Sequence, residues 1–198
     1  IVAIFAALLT KVGVYAILRS FTLIFDLSLG FTAPVIGIVA ALTMVTGVLG
    51  AAAHFDIRKI LSFHIISQIG YMLLGIAVAT PLAIGGAILY VIHHIIVKAN
   101  LFLLAGVINR AGGSFELKEV GGLYKTLPWL GVLFLVPALS LAGLPPLSGF
   151  WSKFVVVKAS LDAGHALLAA TALAVGGLTL YSMLKIWNEA VWKAAPAA

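Results

Sequence analysis

Apolar residues run along this chain in unbroken blocks of about 20, each closed by a short stretch that is polar or rich in Gly and Pro. A continuous block of that length suits a helix crossing the roughly 30 Å hydrocarbon core of a bilayer. A membrane barrel would instead alternate at every second residue. The blocks predict about six membrane segments, over residues 1–25, 34–53, 57–79, 82–109, 128–161 and 165–190.

The fifth block is too long for one spanning helix, and it contains Ser140-Leu-Ala-Gly-Leu-Pro-Pro-Leu-Ser-Gly149. Pro145 and Pro146 lack backbone donors and clash with preceding carbonyls, and Gly143 and Gly149 loosen the chain on either side. The pattern predicts a discontinuous helix: one half before Gly143, a short unwound stretch, and a second half from Gly149. Irregular backbone at membrane depth survives only where protein or water satisfies it, and it often marks an ion path.

Composition supports the same class. Hydrophobic residues make up 63% of the chain and charged residues only 9%, against about 25% charged in a soluble domain. The expected fold is all-α, a polytopic transmembrane helix bundle solvated largely by the lipid bilayer. The net charge of +6 is no nucleic-acid signal, because the twelve Lys and Arg are scattered and several fall inside apolar runs. Cysteine is absent, which removes disulfides and thiolate metal sites. The sequence offers no metal-ligand cluster, no cofactor motif and no Ser-His-Asp set, so an enzyme acting on a soluble substrate, a cofactor or a metal is not expected. The chain opens on Ile-Val-Ala-Ile, already inside an apolar block, so residues 1–198 are expected to be the C-terminal portion of a longer membrane domain.

The connections alternate in charge. Residues 54–59 hold Arg58 and Lys59, residues 110–126 hold Arg110, Lys118 and Lys125, and Lys193 follows the last block. The connections between them carry Asp26, Thr80-Pro81 and Asp162 without Lys or Arg. The positive-inside rule then places loops 54–59 and 110–126, and the C-terminus, in the cytoplasm.

Against this background a few polar residues stand out. The run from Ala87 to Val107 is almost wholly apolar except for Lys98, with His93 and His94 one turn before it. A charge at the bilayer centre costs about 2.5–3.5 kcal/mol on insertion scales. His94 precedes Lys98 by four residues and shares its helix face, while His93 lies on a neighbouring face. Lys11 and Lys153 sit in similarly apolar surroundings, Lys153 one turn after the predicted break, and no carboxylate lies beside any of the three. The alternative for Lys98 is a side chain snorkelling to a headgroup, with the histidines hydrogen-bonded in the core. Snorkelling suits Arg19, Lys158 and Lys185, nearer segment ends; Lys98 falls near the centre of its predicted segment. His64, Gln68 and Tyr71 recur at i, i+4 and i+7 with Ser67 beside them, a stripe that serves equally as interhelical glue or as a water wire. A lysine removed from water, or set beside another cation, gives up its proton more readily. Lys and His in one hydrated file can therefore exchange protons near neutral pH.

Four motifs carry a resemblance: Thr10-Lys-Val-Gly-Val-Tyr-Ala-Ile-Leu-Arg19, Asp56-Ile-Arg-Lys-Ile-Leu-Ser-Phe-His64 through Gly70-Tyr-Met, His93-His-Ile-Ile-Val-Lys98, and Leu144-Pro-Pro-Leu-Ser-Gly-Phe-Trp-Ser-Lys153. In kind and order they resemble the antiporter-like proton-pumping subunits of Mrp-type cation/proton antiporters, respiratory complex I and membrane-bound hydrogenases, most nearly those of the Mrp type. The resemblance implies the second inverted repeat of a fourteen-helix subunit, preceded by its eighth helix. It implies that Lys11 bridges two half-channels, that His94 and Lys98 form the central relay of the second, and that Lys153 on the broken helix passes the proton out or to a neighbouring subunit. The family's glutamate–lysine pair belongs to the half not covered, so this stretch alone is not expected to transport. Lys153, and the histidine four residues before Lys98, argue against the complex I subunits that carry glutamate or lack histidine there. The resemblance also implies a bacterial cell membrane, partner membrane subunits in a hetero-oligomeric complex, and transport of protons and a monovalent cation. The alternatives are a subunit of a redox-driven proton pump and a purely structural membrane anchor.

Overall fold

The computed structural model describes residues 2–25 and 30–194; the predicted charge signal at Asp26 lies outside them. The first segment is helical over residues 2–23 (α1), with a wider π-helical turn at Phe5–Leu9 ahead of Thr10–Leu23. Then follow α2 (Thr32–Ala53), α3 (Ile57–Val78), α4 (Pro81–Gly112), a single turn α5 (Leu123–Thr126), α6 (Pro128–Ala142), α7 (Ser148–Asp162) and α8 (Ala166–Trp187), which runs on through a π-helical turn at Asn188–Trp192. Among the described residues, five stretches are long and apolar enough to cross a bilayer. The sixth crossing is the pair α6 and α7, the predicted discontinuous helix.

Local chemistry sets these boundaries. Asp56 caps α3, its Oδ1 accepting from the Arg58 N–H at 2.8 Å. Thr80 caps α4 the same way, accepting from the Ala83 N–H at 3.2 Å, and Pro81 occupies the first helical position, where its missing donor costs nothing. α2 begins at Thr32, ahead of the predicted Pro34, because a proline is tolerated in a first turn. α6 stops where Gly143 turns left-handed at φ +94° and the amides of Gly143 and Leu144 fold back onto the Leu139 and Ser140 carbonyls.

α3 runs through the middle of the bundle, buried along most of its length against α2, α4, α7 and α8. The outer faces of α2, α6 and α8 present Ile38, Leu42, Val132, Leu133 and Leu167, as a lipid-facing surface requires. At one end of the bundle the two basic loops pair through their backbones: the Ile57 amide donates to the Phe115 carbonyl at 3.0 Å and the Leu117 amide to the Phe55 carbonyl at 3.0 Å. The Gly122 amide reaches the Lys193 carbonyl at 2.5 Å. Loops 54–59 and 110–126 and the end of α8 therefore share one end of the molecule, its basic end.

Candidate functional site

α3 and α4 form an antiparallel hairpin, which brings Lys98 level with Leu61 and Tyr90 level with Gln68. Lys98 Nζ donates to the Leu61 carbonyl at 3.0 Å, and the residue has no solvent exposure at all. Leu61 lies only one turn into α3 from the basic end. Within α4 (Pro81–Gly112) Lys98 stays near the centre, as sequence position puts it, while the carbonyl it reaches lies in the first turns of the shorter α3. The ammonium ends on protein backbone, not at a headgroup.

His94, one turn away, is fully buried, and neither ring nitrogen has a protein hydrogen-bond partner among the described residues. The Tyr90 ring packs over both histidines, 5.6 Å from His93 and 6.2 Å from His94 between centroids, and its hydroxyl donates to Gln68 Oε1. His93 Nδ1 lies 2.9 Å from Ser148 Oγ on the first turn of α7, while its Nε2 is unpartnered. Ser148 Oγ is 3.3 Å from Ser140 Oγ, which accepts from the Gly149 amide at 3.4 Å. This is how α4 meets the broken helix. The two halves cross so closely at Gly149 that a Cβ there would sit 1.7 Å from the Ser140 carbonyl oxygen.

Lys153, on α7, donates to the carbonyl of Ala142, the last residue of α6, at 3.1 Å. A cation at a helix C-terminus is favourably placed against the helix dipole. Its Nζ lies 4.5 Å from the centroid of the Tyr71 ring, and the tyrosine hydroxyl donates to the Ala172 carbonyl. Gly143, Tyr71, Lys153, Phe150, Leu173 and Gly176 line a cavity of about 290 Å³ between the broken helix and α8. Pro145 and Pro146 lie in the unwound stretch beyond Gly143 and bring no side-chain chemistry to the site.

Lys11 is also buried; its Nζ donates to the Ala6 carbonyl in the π-helical turn and to Thr10 Oγ1, each at 3.0 Å. No hydrogen bond joins it to the other cations among the described residues. α1 instead reaches them by packing its first turns on α4. The α3 stripe faces α8 and Tyr90. His64 Nε2 lies 2.5 Å from Ser182 Oγ, and Gln68 Nε2 donates to Thr179 Oγ1 at 3.4 Å. Ser67 turns the other way, donating to the Met44 carbonyl at 3.0 Å. The stripe thus joins helices, and His64 still keeps an unpartnered Nδ1.

Sequence reasoning did not single out Tyr90, Ser140, Ser148, Thr179 or Ser182 as part of this network. Thr179, Ser182 and Lys185 recur at three-residue spacing, and Tyr90 precedes His94 by four residues, so a search for polar stripes on every helix would have found them. The ion pairs among the described residues are all at the periphery, Arg58–Asp56, Lys158–Asp162 and Lys193–Glu189. None touches Lys11, Lys98 or Lys153.

These features define a class: a multi-pass, all-helical membrane protein with a broken helix and an interior lined by cations and histidines. The chain belongs to the family described as NADH:quinone oxidoreductase/Mrp antiporter, TM, which matches residues 1–179. It is 57% identical to the D subunit of the Na(+)/H(+) antiporter of Alkalihalophilus pseudofirmus, over 97% of this chain and 39% of the relative. Among solved structures it resembles a chain of the Mrp complex from a Dietzia species, with 45% identity and a TM-score of 0.92 over 98% of this chain and 36% of that one. A chain of respiratory complex I from Thermus thermophilus superposes with a TM-score of 0.88 at 27% identity, over 96% of this chain and 40% of that one. The chain thus spans about two-fifths of the length of these proteins.

Proposed function

We propose that this chain is the second proton half-channel of a D-type membrane protein in a multisubunit monovalent cation/proton antiporter, a transporter and not an enzyme. Protons would pass along Lys11, Lys98, His94 and Lys153, with His93, Tyr90 and the two serines of the break linking α4 to α7. The observation that carries this reading is His94: a fully buried imidazole with no protein partner at either nitrogen, one turn from a buried lysine with no acid partner, among the described residues. A structural residue in a dry bundle would find partners, because an unsatisfied buried polar group costs about 1–3 kcal/mol. A group that must take and release protons needs nitrogens free to do so. The basic end would be cytoplasmic, in a bacterial cell membrane, and partner membrane subunits would complete the complex.

The test is cation/proton antiport in everted vesicles carrying the full-length subunit in its complex. Lys98→Ala should abolish antiport at matched assembly. Lys98→Arg should fail as well, since a guanidinium does not release its proton. Full activity in Lys98→Arg would end the relay reading, and unchanged transport with both Lys98 and Lys153 made alanine would leave only a membrane anchor. The likeness to complex I supports a second reading, a subunit of a redox-driven proton pump. Quinone-reductase or hydrogenase genes beside the gene for this chain would favour it.

A further inference from the structure

Thr179, Ser182 and Lys185 form a polar stripe on α8 that leads from the bundle interior to the basic end. Thr179 and Ser182 are fully buried. Lys185 sits at the outer end of the stripe, its Nζ donating to the carbonyls of Ala52 at 2.8 Å and His54 at 2.6 Å. It borders a depression of about 410 Å³ lined by Phe55, Tyr181, Leu184, Lys185, Asn188 and Glu189. With an amine, an amide and a carboxylate in its wall, this hollow suits water better than lipid.

One turn inward from Lys185, Ser182 Oγ lies 2.5 Å from His64 Nε2 and 3.1 Å from the Thr179 carbonyl oxygen. The hydroxyl therefore has two acceptors to choose between. His64 is one turn along α3 from Leu61, whose carbonyl holds Lys98, and its other nitrogen, Nδ1, is buried without a partner.

We propose that the depression is the water-filled mouth of the half-channel, and that Ser182 and His64 carry the proton from it to Lys98. The proposal rests on the relay reading of Lys98 and adds its inlet. With the Ser182 hydroxyl donating to His64 Nε2, a proton arriving from water bonds to Ser182 Oγ as the hydroxyl's own proton moves to Nε2. The proton on Nδ1 then leaves for the Lys98 amine. One proton enters and one departs, and only O–H and N–H bonds change. Afterwards Nε2–H donates to Ser182 and the hydroxyl turns to the Thr179 carbonyl, the second arrangement the geometry allows. Exchange of tautomer, with the ring proton leaving Nε2 and one returning to Nδ1, resets the pair. Lys185 is a positioning residue: it anchors α8 to the end of α2 and keeps the mouth open.

The test is Ser182→Ala in the full-length subunit within its complex, in everted vesicles at matched assembly. Antiport should slow about tenfold, equivalent to about 1.4 kcal/mol in barrier height. Azide, a small proton carrier added at the outward-facing basic end, should restore much of it while leaving the parent unchanged. His64→Gln should behave alike and stands in should Ser182→Ala not assemble. Parental rates in Ser182→Ala alongside an inactive Lys98→Ala would overturn the inlet and leave the relay standing. A slowed variant that azide does not rescue would reduce Ser182 to packing and overturn the inlet too. If Lys98→Ala itself transports normally, the relay reading fails first and the inlet with it.

Discussion

Gly149→Ala is the most severe small perturbation this architecture offers. The added Cβ would sit 1.7 Å from the Ser140 carbonyl oxygen, 2.8 Å from its carbon and 2.9 Å from His93 Nε2. The first two are backbone atoms of α6, so no side chain can rotate out of the way. The halves of the broken helix must separate by more than an ångström, and that movement also pulls Ser148 from His93 and the Gly149 amide from Ser140. Overpacking of a well-filled core typically costs about 1–3 kcal/mol and sometimes more, and the two lost hydrogen bonds add about 1 kcal/mol each. A total of about 3–5 kcal/mol is expected. Thermal unfolding of the purified full-length subunit should therefore begin several degrees earlier than in the parent, and antiport should fall because His93 loses its contact with α7. Gly85→Ala and Gly106→Ala serve as controls, since a Cβ at either meets nothing within 4 Å. An unshifted unfolding midpoint and parental antiport in Gly149→Ala would refute the close crossing and the role assigned to it.

Three further outcomes follow from the same geometry. Lys98→Met should leave the unfolding midpoint equal to or above that of the parent while antiport is lost, because replacing a buried charge by an apolar group of similar size is often neutral or stabilising; a large drop in midpoint would mean that Lys98 is structural. Lys185→Met removes two donors from the α2 terminus and a cation 4.5 Å from the Phe55 ring, and should cost about 1–3 kcal/mol in a denaturation series, with Lys185→Arg recovering part of it. The hydrogen bond from Arg58 holds the Asp56 carboxyl below the usual carboxylate range, so its stabilising effect is fully present above about pH 4 and is lost on acidification. Asp56→Asn should accordingly lower the unfolding midpoint slightly at pH 7, and the gap from the parent should close as pH falls; a gap that widens would contradict the pairing.

Much of the fold was legible because a bilayer leaves the backbone few options. Only a helix satisfies its own donors and acceptors in hydrocarbon, so block length fixes the segments, and the pair of prolines at 145 and 146 can only be a break. The three buried lysines were legible for the same reason: a charge has nowhere to hide in an apolar block. Partnership was not. Nothing in the spacing of His64, Gln68 and Tyr71 says that Ser182, Thr179 and the Ala172 carbonyl receive them, because those partners lie more than a hundred residues further along the chain.

Register was not legible either. Lys98 is central in its own block and in α4, but that it reaches the Leu61 carbonyl depends on how α3 and α4 slide past each other. The sequence by itself determined the membrane class, the broken helix, the clustering of positive loops and the set of costly interior cations, all consequences of local chemistry and chain order. Only tertiary structure decided that His94 is left without partners, that Ser148 joins α4 to the break, and that Lys153 rests on Tyr71 at the end of a half-helix. The physical reason is that hydrogen bonds and packing between helices depend on rotation and register about each axis, which the hydrophobic pattern of an all-round apolar helix barely constrains.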